Sequence, residues 1–403
     1  MNRDFTDLLI VGGGPAGMMA GLLFARAGLR VTVIEKHGDF LRDFRGDTVH
    51  PSTLELFHEL GLLHRLLKRP HDKVSELSGR VAGREVKLAD FSHLPVKCGF
   101  IAMMPQWELL DFLNVEASRY PAFSLRMNAE ASDLLYGEAG RISGIRLKNG
   151  ENIRARLVIA ADGRHSRLRQ VAALPLKDIG APMDVFWFRL PKKPEVRNQT
   201  MGVFQTGRIF VQIDRNDYWQ CAYVFPKGGA DRVRGQGLAH FHDEIAHANP
   251  DLAEAAKCIR SWDDVKLLSV TLDRLTRWYA PGILAIGDAA HAMSPLGGVG
   301  INLAIQDAVA AANILAEPMA DGKNPDPLLH LVQNKRMGPT RHMQSLQKLI
   351  QDRIIGTLLE SGTELQSPPL AVRLLDRFPL LRRIPARIVG LGFGREHIRS
   401  PSS

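Results

Sequence analysis

Cysteine is scarce in this chain. Its 403 residues hold three, Cys98, Cys221 and Cys258, far apart and in no CxxC pair. A redox disulfide or a zinc site needs thiols at short spacing, so neither is expected; no metal site is predicted, and a reducing, cytoplasmic setting is. Long apolar runs are also lacking: no stretch reads as apolar for the length of a membrane span. The N-terminal MNRDFTD is polar and has no signal-peptide core. Basic runs are missing although the net charge is +9. Lys and Arg are scattered, with no basic stripe interleaved with aromatics, so no nucleic-acid partner is expected. The surplus reads as a solvated basic surface, or as a mild attraction for anionic cofactors and substrates. Repeats and low-complexity tracts are absent as well.

What is present is an ordinary globular balance, 45% apolar and 24% charged, in a chain long enough for two domains or one with a large insertion. From Leu8 to Lys36 the pattern is strand, glycine cluster, helix and strand: LLIV, then MMAGLLFARAG with Gly28 as terminator, then the alternating RVTVIEK. A helix is expected from Pro51 to Leu67, hairpin material from Val74 to Met104, and a helix from Trp107 to Tyr120. Strands are expected over Leu125–Leu157 and Asp184–Val270, the latter with a helical stretch from about Leu238 to Arg260. A buried strand follows at Gly282–Asp288, then a long apolar helix to about Ala316. The region from Asp321 onward is proline-punctuated and helix-rich.

Three segments carry chemistry. The first is GGGPAG, a G-x-G-x-x-G turn at Gly12, Gly14 and Gly17 around Pro15 and Ala16, between strand and helix. There Gly12 permits a tight turn, Gly14 lets a pyrophosphate approach, and Gly17 lets helix and strand pack closely. The helix N-terminus offers unpaired N–H groups to phosphate. Glu35, ahead of Lys36 at the end of the second strand, suits ribose hydroxyls and favours NAD or FAD over NADP. The second segment, LVIAADGRHSRLR, ends a buried strand at Asp162-Gly163. That carboxylate either faces a ligand crevice or caps a turn. The third, GILAIGDAAHAMSPLGGVGINLAIQDA, ends a strand at Asp288 and feeds a helix near Asn302 through Pro295, Gly297, Gly298 and Gly300. Glycines so dense before a helix imply close backbone approach to something flat or anionic. His291 reads either as a ligand-side group or as a residue bonded within its own loop.

Together these segments resemble the flavoprotein aromatic hydroxylases, the group A FAD monooxygenases related to para-hydroxybenzoate hydroxylase. That family's GxGxxG, DGxxSxxR and GDAAHxxxPxxGxGxN patterns are met here over about Asp7 to Leu315 by GGGPAG, DGRHSRLR and GDAAHAMSPLGGVGIN. The resemblance implies non-covalent FAD, with Gly12, Gly14, Gly17 and Glu35 on its ADP half. Asp162 and Gly163 would lie by the pyrophosphate, Asp288 on ribitol, Arg45 on the flavin side and Gln106 on the ribityl chain. The loop from Pro295 through Gly298 and Gly300 to Asn302 would lie beside the isoalloxazine. It also implies NADH or NADPH as reductant, and hydroxylation of an electron-rich ring by dioxygen through a flavin C4a-hydroperoxide. The aromatics Trp187, Phe188, Phe210, Tyr218, Trp219, Tyr223 and Phe225 crowd the middle region; most are expected to be core and sheet residues, with two or three at alternating positions lining the substrate pocket. No catalytic base shows by motif; His50 is the weak candidate.

The expected fold class is α/β. A Rossmann-like FAD-binding domain (1–73, 105–180, 276–320) is interleaved with a mixed-sheet substrate domain (74–104, 181–275), and a helical region (321–403) follows. Rival readings are weighed on the same residues. The WxWxIP of flavin halogenases is absent, and no second GxGxxG or cysteine pair supports a disulfide reductase. A flavin-dependent reductase of isoprenoid-type double bonds remains the alternative, and a flavin-bearing binding protein the non-enzyme one. The tail LLDRFPLLRRIPARIVGLGF, basic and apolar, either packs over the FAD domain or touches a membrane surface in the service of a lipophilic substrate. The chain is expected to be a monomer or a homodimer.

Overall fold

A computed structural model describes residues 5–41, 48–192, 201–205, 208–215, 217–360 and 367–402. Strand β1 (Phe5–Val11) runs parallel to Asn152–Ala160 on one side and to β2 (Val31–Ile34) on the other. Leu8 lies opposite both Leu157 and Val31. A strand with parallel neighbours on both edges and covered faces has no polar side, which is why LLIV is unbroken. The sheet is extended by Phe123–Arg126 beyond β2 and by Ile283–Ala285 and Tyr279–Ala280 at the other edge, and an antiparallel arm (Ala131–Tyr136, Ile142–Leu147) hangs from Asn152–Ala160.

Helix α1 (Pro15–Arg26) begins with Pro15 in its first turn and is buried along Ala16–Ala25. Gly28, at φ +83°, ends it: the Gly28 and Leu29 amides donate back to Ala25 and Phe24. The interior of α1 lies between the sheet and the helix Gly300–Ala320. Leu22, Leu23 and Phe24 are each at most 2% exposed, worth about 1.5–3 kcal/mol apiece by burial.

A second sheet has seven strands in the order Lys266–Leu268, Met183–Pro191, Tyr218–Pro226, Arg208–Asp214, Met201–Gln205, Glu76–Val81, Arg84–Asp90. The early hairpin Glu76–Val81/Arg84–Asp90 turns at Ala82-Gly83, both at positive φ. It joins strands more than a hundred residues later, through parallel pairing of Gly79 with Gly202. This is the mixed sheet expected from the sequence.

Three expectations need correction. The helix over Pro51–Leu67 is two helices, Pro51–Glu59 and Leu63–Leu66, broken where Gly61 sits at φ +70°. The helix over Leu238–Arg260 ends at Ala248 because Pro250 cannot continue it; a turn at Pro250–Leu252 and a short helix Ala253–Ala256 follow. Third, the segment Leu296–Ala320 is long and apolar enough to cross a membrane by length and composition, contrary to the reading of the chain as free of such stretches. Its apolarity has a local cause: 78% of that window is buried inside the protein, against α1, the sheet and the helix Leu329–Ile350.

The chain beyond Asp321 is helical, as expected: Leu329–Ile350, Thr357–Glu360, Leu370–Arg377 and Arg383–Leu391. Its last residues return over the first sheet's helices. The Asn313 amide donates to the His397 carbonyl, Glu59 accepts from the Ile398 amide, and Arg26 donates to the Ser400 carbonyl.

Candidate active site

Because β1, β2, Asn152–Ala160 and Ile283–Ala285 are all parallel, their carboxyl ends share one edge. Gly12, Glu35, Asp162 and Asp288 therefore leave the sheet together, at the edge where open α/β sheets bind ligands. Contacts between the turns hold them there. Gly12 sits at φ +110°, and a Cβ on it would lie 2.2 Å from the Ala161 carbonyl oxygen; a Cβ on Gly17 would lie 1.9 Å from the Gly12 oxygen. Gly287, at φ +59°, leaves room for no side chain, since a Cβ on it would lie 3.0 Å from the Ala16 methyl; the third motif's turn is thus close to the first motif's helix start.

Gly14 is different. A Cβ there would meet nothing within 4 Å, and as N-cap it supplies no side chain to the helix amides. The start of α1 thus opens on space, and its N–H groups and dipole suit an anion. Glu35 orders the rim of that space: one oxygen accepts from the Gly13 amide at 3.0 Å, the other from the His37 amide at 3.1 Å. Lys36 is exposed beside it.

Asp162 accepts from the Ser166 hydroxyl at 2.5 Å and the Leu168 amide at 3.2 Å. Burial pushes its carboxyl above the usual range, against those hydrogen bonds. Of the two readings left open by the sequence, the cap is thus realised, at the carboxyl edge of the sheet. Gly163, at φ +85°, has no neighbour within 4 Å of its would-be Cβ. Arg164 reaches Asp288 at 3.8 Å, linking the second and third motifs. Arg169 ties them from beneath: buried, it donates to the Arg164 and Ala289 carbonyls and pairs with Asp273 at 3.5 Å.

The glycine loop is fastened to the segment before the helix Pro51–Glu59. Thr48 donates to the Gly298 carbonyl at 2.8 Å. Gly297 and Gly298 lie at φ +76° and +63°, after Pro295, and Gly300 opens the long helix. Asn302 gives its amide group to the carbonyls of Thr48 and Gly298, and its oxygen accepts from the His50 amide and the Thr53 hydroxyl. All its side-chain hydrogen bonding is spent on the protein, so this residue positions the loop. Gln106 starts the helix Gln106–Ala117 and is buried. Arg45 lies outside the described residues.

His50 is fully buried. Its Nδ1 donates to the Val389 carbonyl at 2.7 Å, and Nε2 has no partner among the described residues. Burial lowers its pKa to about 4, so the ring is neutral at physiological pH. With Asn302, Gln306 and Arg336 it borders a cavity of about 20 Å³, room for a water.

Sequence reasoning missed a buried charge cluster. Asp307 bonds His291 at 2.6 Å, Arg336 at 3.0 Å and the Gly287 amide at 3.1 Å. Burial alone would raise the Asp307 pKa; the attraction of His291 and Arg336 prevails and holds it below the usual range. His291 is therefore bonded inward, to the helix following its loop. The i, i+16 spacing of His and Asp carries no sequence signal of this pairing. Among the described residues no His, Cys, Asp or Glu group is arranged to hold a metal.

The aromatics of the middle region are mostly core, as expected. Phe188, Phe210, Trp219, Tyr223 and Phe225 share one face of the seven-stranded sheet, and they form a core with Phe241 under the helix Gly237–Ala248. Tyr218 stacks under Arg189. The other face carries Val185, Ile209, Val211, Ala222 and Val224, with Trp187 and, by alternation along the strand, Tyr218 from the expected set; it packs against Leu296 of the glycine loop and against Ile355, Leu358 and Leu359. Strand alternation divides the aromatics between the faces.

The edge geometry and motifs define a flavin-nucleotide enzyme, and the comparisons agree. Residues 5–342 match the family described as FAD binding domain. The chain is 32% identical to 6-methylpretetramide 4-monooxygenase of Streptomyces rimosus, over 95% of this chain and 92% of that protein. It is 26% identical to pentachlorophenol 4-monooxygenase of Sphingobium chlorophenolicum, over 75% of this chain and 56% of that one. Among solved structures, PqsL, a probable FAD-dependent monooxygenase from Pseudomonas aeruginosa, shares the fold, with TM-score 0.74 at 22% identity, covering 88% of this chain and 97% of that one. The chain belongs to the FAD-binding-domain family of aromatic-hydroxylase flavoproteins. It is an FAD-dependent monooxygenase that takes NAD(P)H as co-substrate, and the double-bond reductase reading finds no better support.

Proposed function

We propose that this enzyme hydroxylates an apolar fused or substituted phenolic ring system, of the kind on which the 6-methylpretetramide enzyme acts. The observation that carries the reading is the close approach of Gly287 to Ala16, which puts the third motif's turn at the open start of α1. The vacant space at Gly14 fits a pyrophosphate, and the residues around it fit the rest of FAD. Bound FAD supplies the electron transfer and oxygen activation.

The chain's own residues bind, orient and exclude water. The amides of Ala16 and Gly17, just past Gly14 and Pro15, would hold the pyrophosphate. Glu35, flanked by Lys36, would face the ribose hydroxyls. Asp162 and Gly163 would lie on the phosphate side, Asp288 would take ribityl hydroxyls, and Gln106 would stand on the flavin side. Pro295, Gly297 and Gly298 border the ring system. The N-terminus of the helix from Gly300 places a positive dipole end where negative charge develops. Neutral His50 is not assigned a proton transfer. The aliphatic sheet face next to Leu296 forms a dry platform for the substrate. Trp187 Nε1, buried and without a partner among the described residues, offers a donor to a substrate oxygen. A FAD-binding unit interleaved with a substrate unit at the boundaries given above, a cytoplasmic location consistent with the free cysteines, and a monomer or homodimer complete the reading.

The test is turnover under labelled dioxygen with mass spectrometry of the product, using a phenolic ligand that stimulates NAD(P)H oxidation. One labelled oxygen per product is expected. A reduced product formed equally well without oxygen overturns the proposal.

A further inference from the structure

Large exposed apolar side chains are scattered over the described surface, except in one place. Leu370, Leu374, Phe378, Leu380 and Ile384 fall within fifteen residues and are 41–69% exposed. Leu370 and Leu374 lie on one face of the helix Leu370–Arg377; Phe378 and Leu380 follow in the connection and Ile384 in the helix Arg383–Leu391, so this stretch of chain carries an exposed apolar surface. Arginines are interleaved on it. Arg373, Arg377, Arg383 and Arg387 are all exposed. Asp376 is the one acidic residue between Leu370 and Leu391, and its carboxylate is turned to the Lys87 amide at 3.1 Å.

The second of these helices is firmly seated on its inner side, while the first, Leu370–Arg377, buries none of its residues. Ala386 is fully buried. A Cβ on Gly390 would press Leu94 at 2.7 Å, Phe91 at 3.1 Å and Pro51 at 3.3 Å. Arg382 donates to the Leu375 carbonyl at 2.9 Å, joining one helix to the next. The outward Ile384 is thus held in place by well-packed neighbours, and Arg382 ties the first helix to the second.

We propose that this face docks on an anionic lipid bilayer. Aliphatic and phenyl side chains interleaved with arginines, on helices too short to span, suit the boundary between acyl chains and anionic headgroups. Charge complementarity selects that occupant: between Leu370 and Leu391 four exposed arginines face a single carboxylate, Asp376, which is engaged by the Lys87 amide, and these arginines repel a second copy of themselves. The helix Arg383–Leu391 touches the flavin-side loop: the Val389 carbonyl accepts the His50 Nδ1 hydrogen while the His50 amide donates to Asn302, and Ile388 packs with Val299 and Leu303. The proposal stands independently of the identity of the hydroxylated substrate.

The holoenzyme is sedimented with phosphatidylcholine vesicles and with vesicles of phosphatidylcholine and phosphatidylglycerol. Partition onto the anionic vesicles is expected, weakening as salt rises. Two double variants, L374E with F378E and R373E with R377E, are each expected to lower it about tenfold or more. Because these side chains are exposed, flavin content and Tm stay at the wild-type value. L349E, which changes an exposed leucine on another helix, keeps wild-type partition. Failure of the wild type to bind anionic vesicles overturns the proposal, as does equal binding by the double variants. A wild-type dimer converted to monomer by L374E with F378E also overturns it, assigning the face to a second copy.

Discussion

The glycine turn after β1 and the two faces of the seven-stranded sheet solve the same problem, admitting a ring-bearing ligand, by opposite means. At the turn, contact is made by backbone. Gly12 and Gly17 touch other main-chain atoms so closely that no side chain fits, while Gly14 fronts empty space. At the sheet, contact is made by side chains, and strand alternation decides which of them meet the ligand and which become core. A backbone constraint leaves a mark in the sequence because only glycine satisfies it. A side-chain constraint leaves a mark only once the register is known.

The sharpest way to break this comparison is inside the turn. Gly17→Val places carbon where the Gly12 oxygen lies, 1.9 Å from the ideal Cβ position. The start of α1 must then move from β1. No folded, yellow protein is expected on purification. Gly14→Ala puts a methyl into open space and is expected to fold with Tm near wild type, while FAD affinity falls because the methyl enters the volume reserved for pyrophosphate. Flavin content and thermal melts read both. Equal tolerance of the two substitutions would remove the distinction between packed and open glycines.

The same distinction explains how much was legible beforehand. The first sheet's central strands, α1, the long helix after Gly300 and the three turns at one edge were read correctly, since each rests on periodicity or on glycine at fixed spacing. The breaks at Gly61 and Pro250 were also in the sequence and were passed over in favour of apolar pattern. The Asp307–His291–Arg336 cluster was not legible, because its partners come from different elements joined only by the fold. The membrane-like apolarity of Leu296–Ala320 was underestimated for a related reason: a helix covered on several sides loses the polar stripe that marks a surface helix. The aromatic segments were read as strands correctly; which of their rings meet the ligand is not in the composition, because composition does not report which face turns toward Leu296.

The sheet faces make the next prediction. Phe188→Ala removes a fully buried ring from the core under Phe241 and is expected to cost about 3–5 kcal/mol of stability. Protein that remains folded should keep its kcat/KM. Trp187→Phe, on the opposite face, keeps bulk and removes the unpartnered indole N–H. It is expected to leave Tm within a few degrees and raise KM about tenfold, the worth of one hydrogen bond to an uncharged substrate oxygen. Denaturation and steady-state kinetics on both variants separate the faces. A KM unchanged in Trp187→Phe would place the substrate elsewhere.

The smallest effect concerns the junction between turn and tail, where His50 lies. Its folded pKa is depressed to about 4 by burial, from an ordinary value of about 6.5. In the unfolded chain the ring takes up a proton as pH falls through about 6.5; in the folded chain it does so only near 4. Between those values the unfolded state binds more protons, so the contribution of His50 is fully present above about pH 6.5 and is lost as pH falls. Between pH 7.5 and 5 the loss is about 2 kcal/mol from this one group. His50→Asn retains a donor for the Val389 carbonyl and does not titrate. Urea unfolding at the two pH values should show the wild type losing about 2 kcal/mol more than the variant. If both lose the same amount, the imidazole is not held neutral by its surroundings. Its contact with Val389 would then carry a charge between the glycine loop and the helix Arg383–Leu391, and the joint would strengthen in acid where it is expected to weaken.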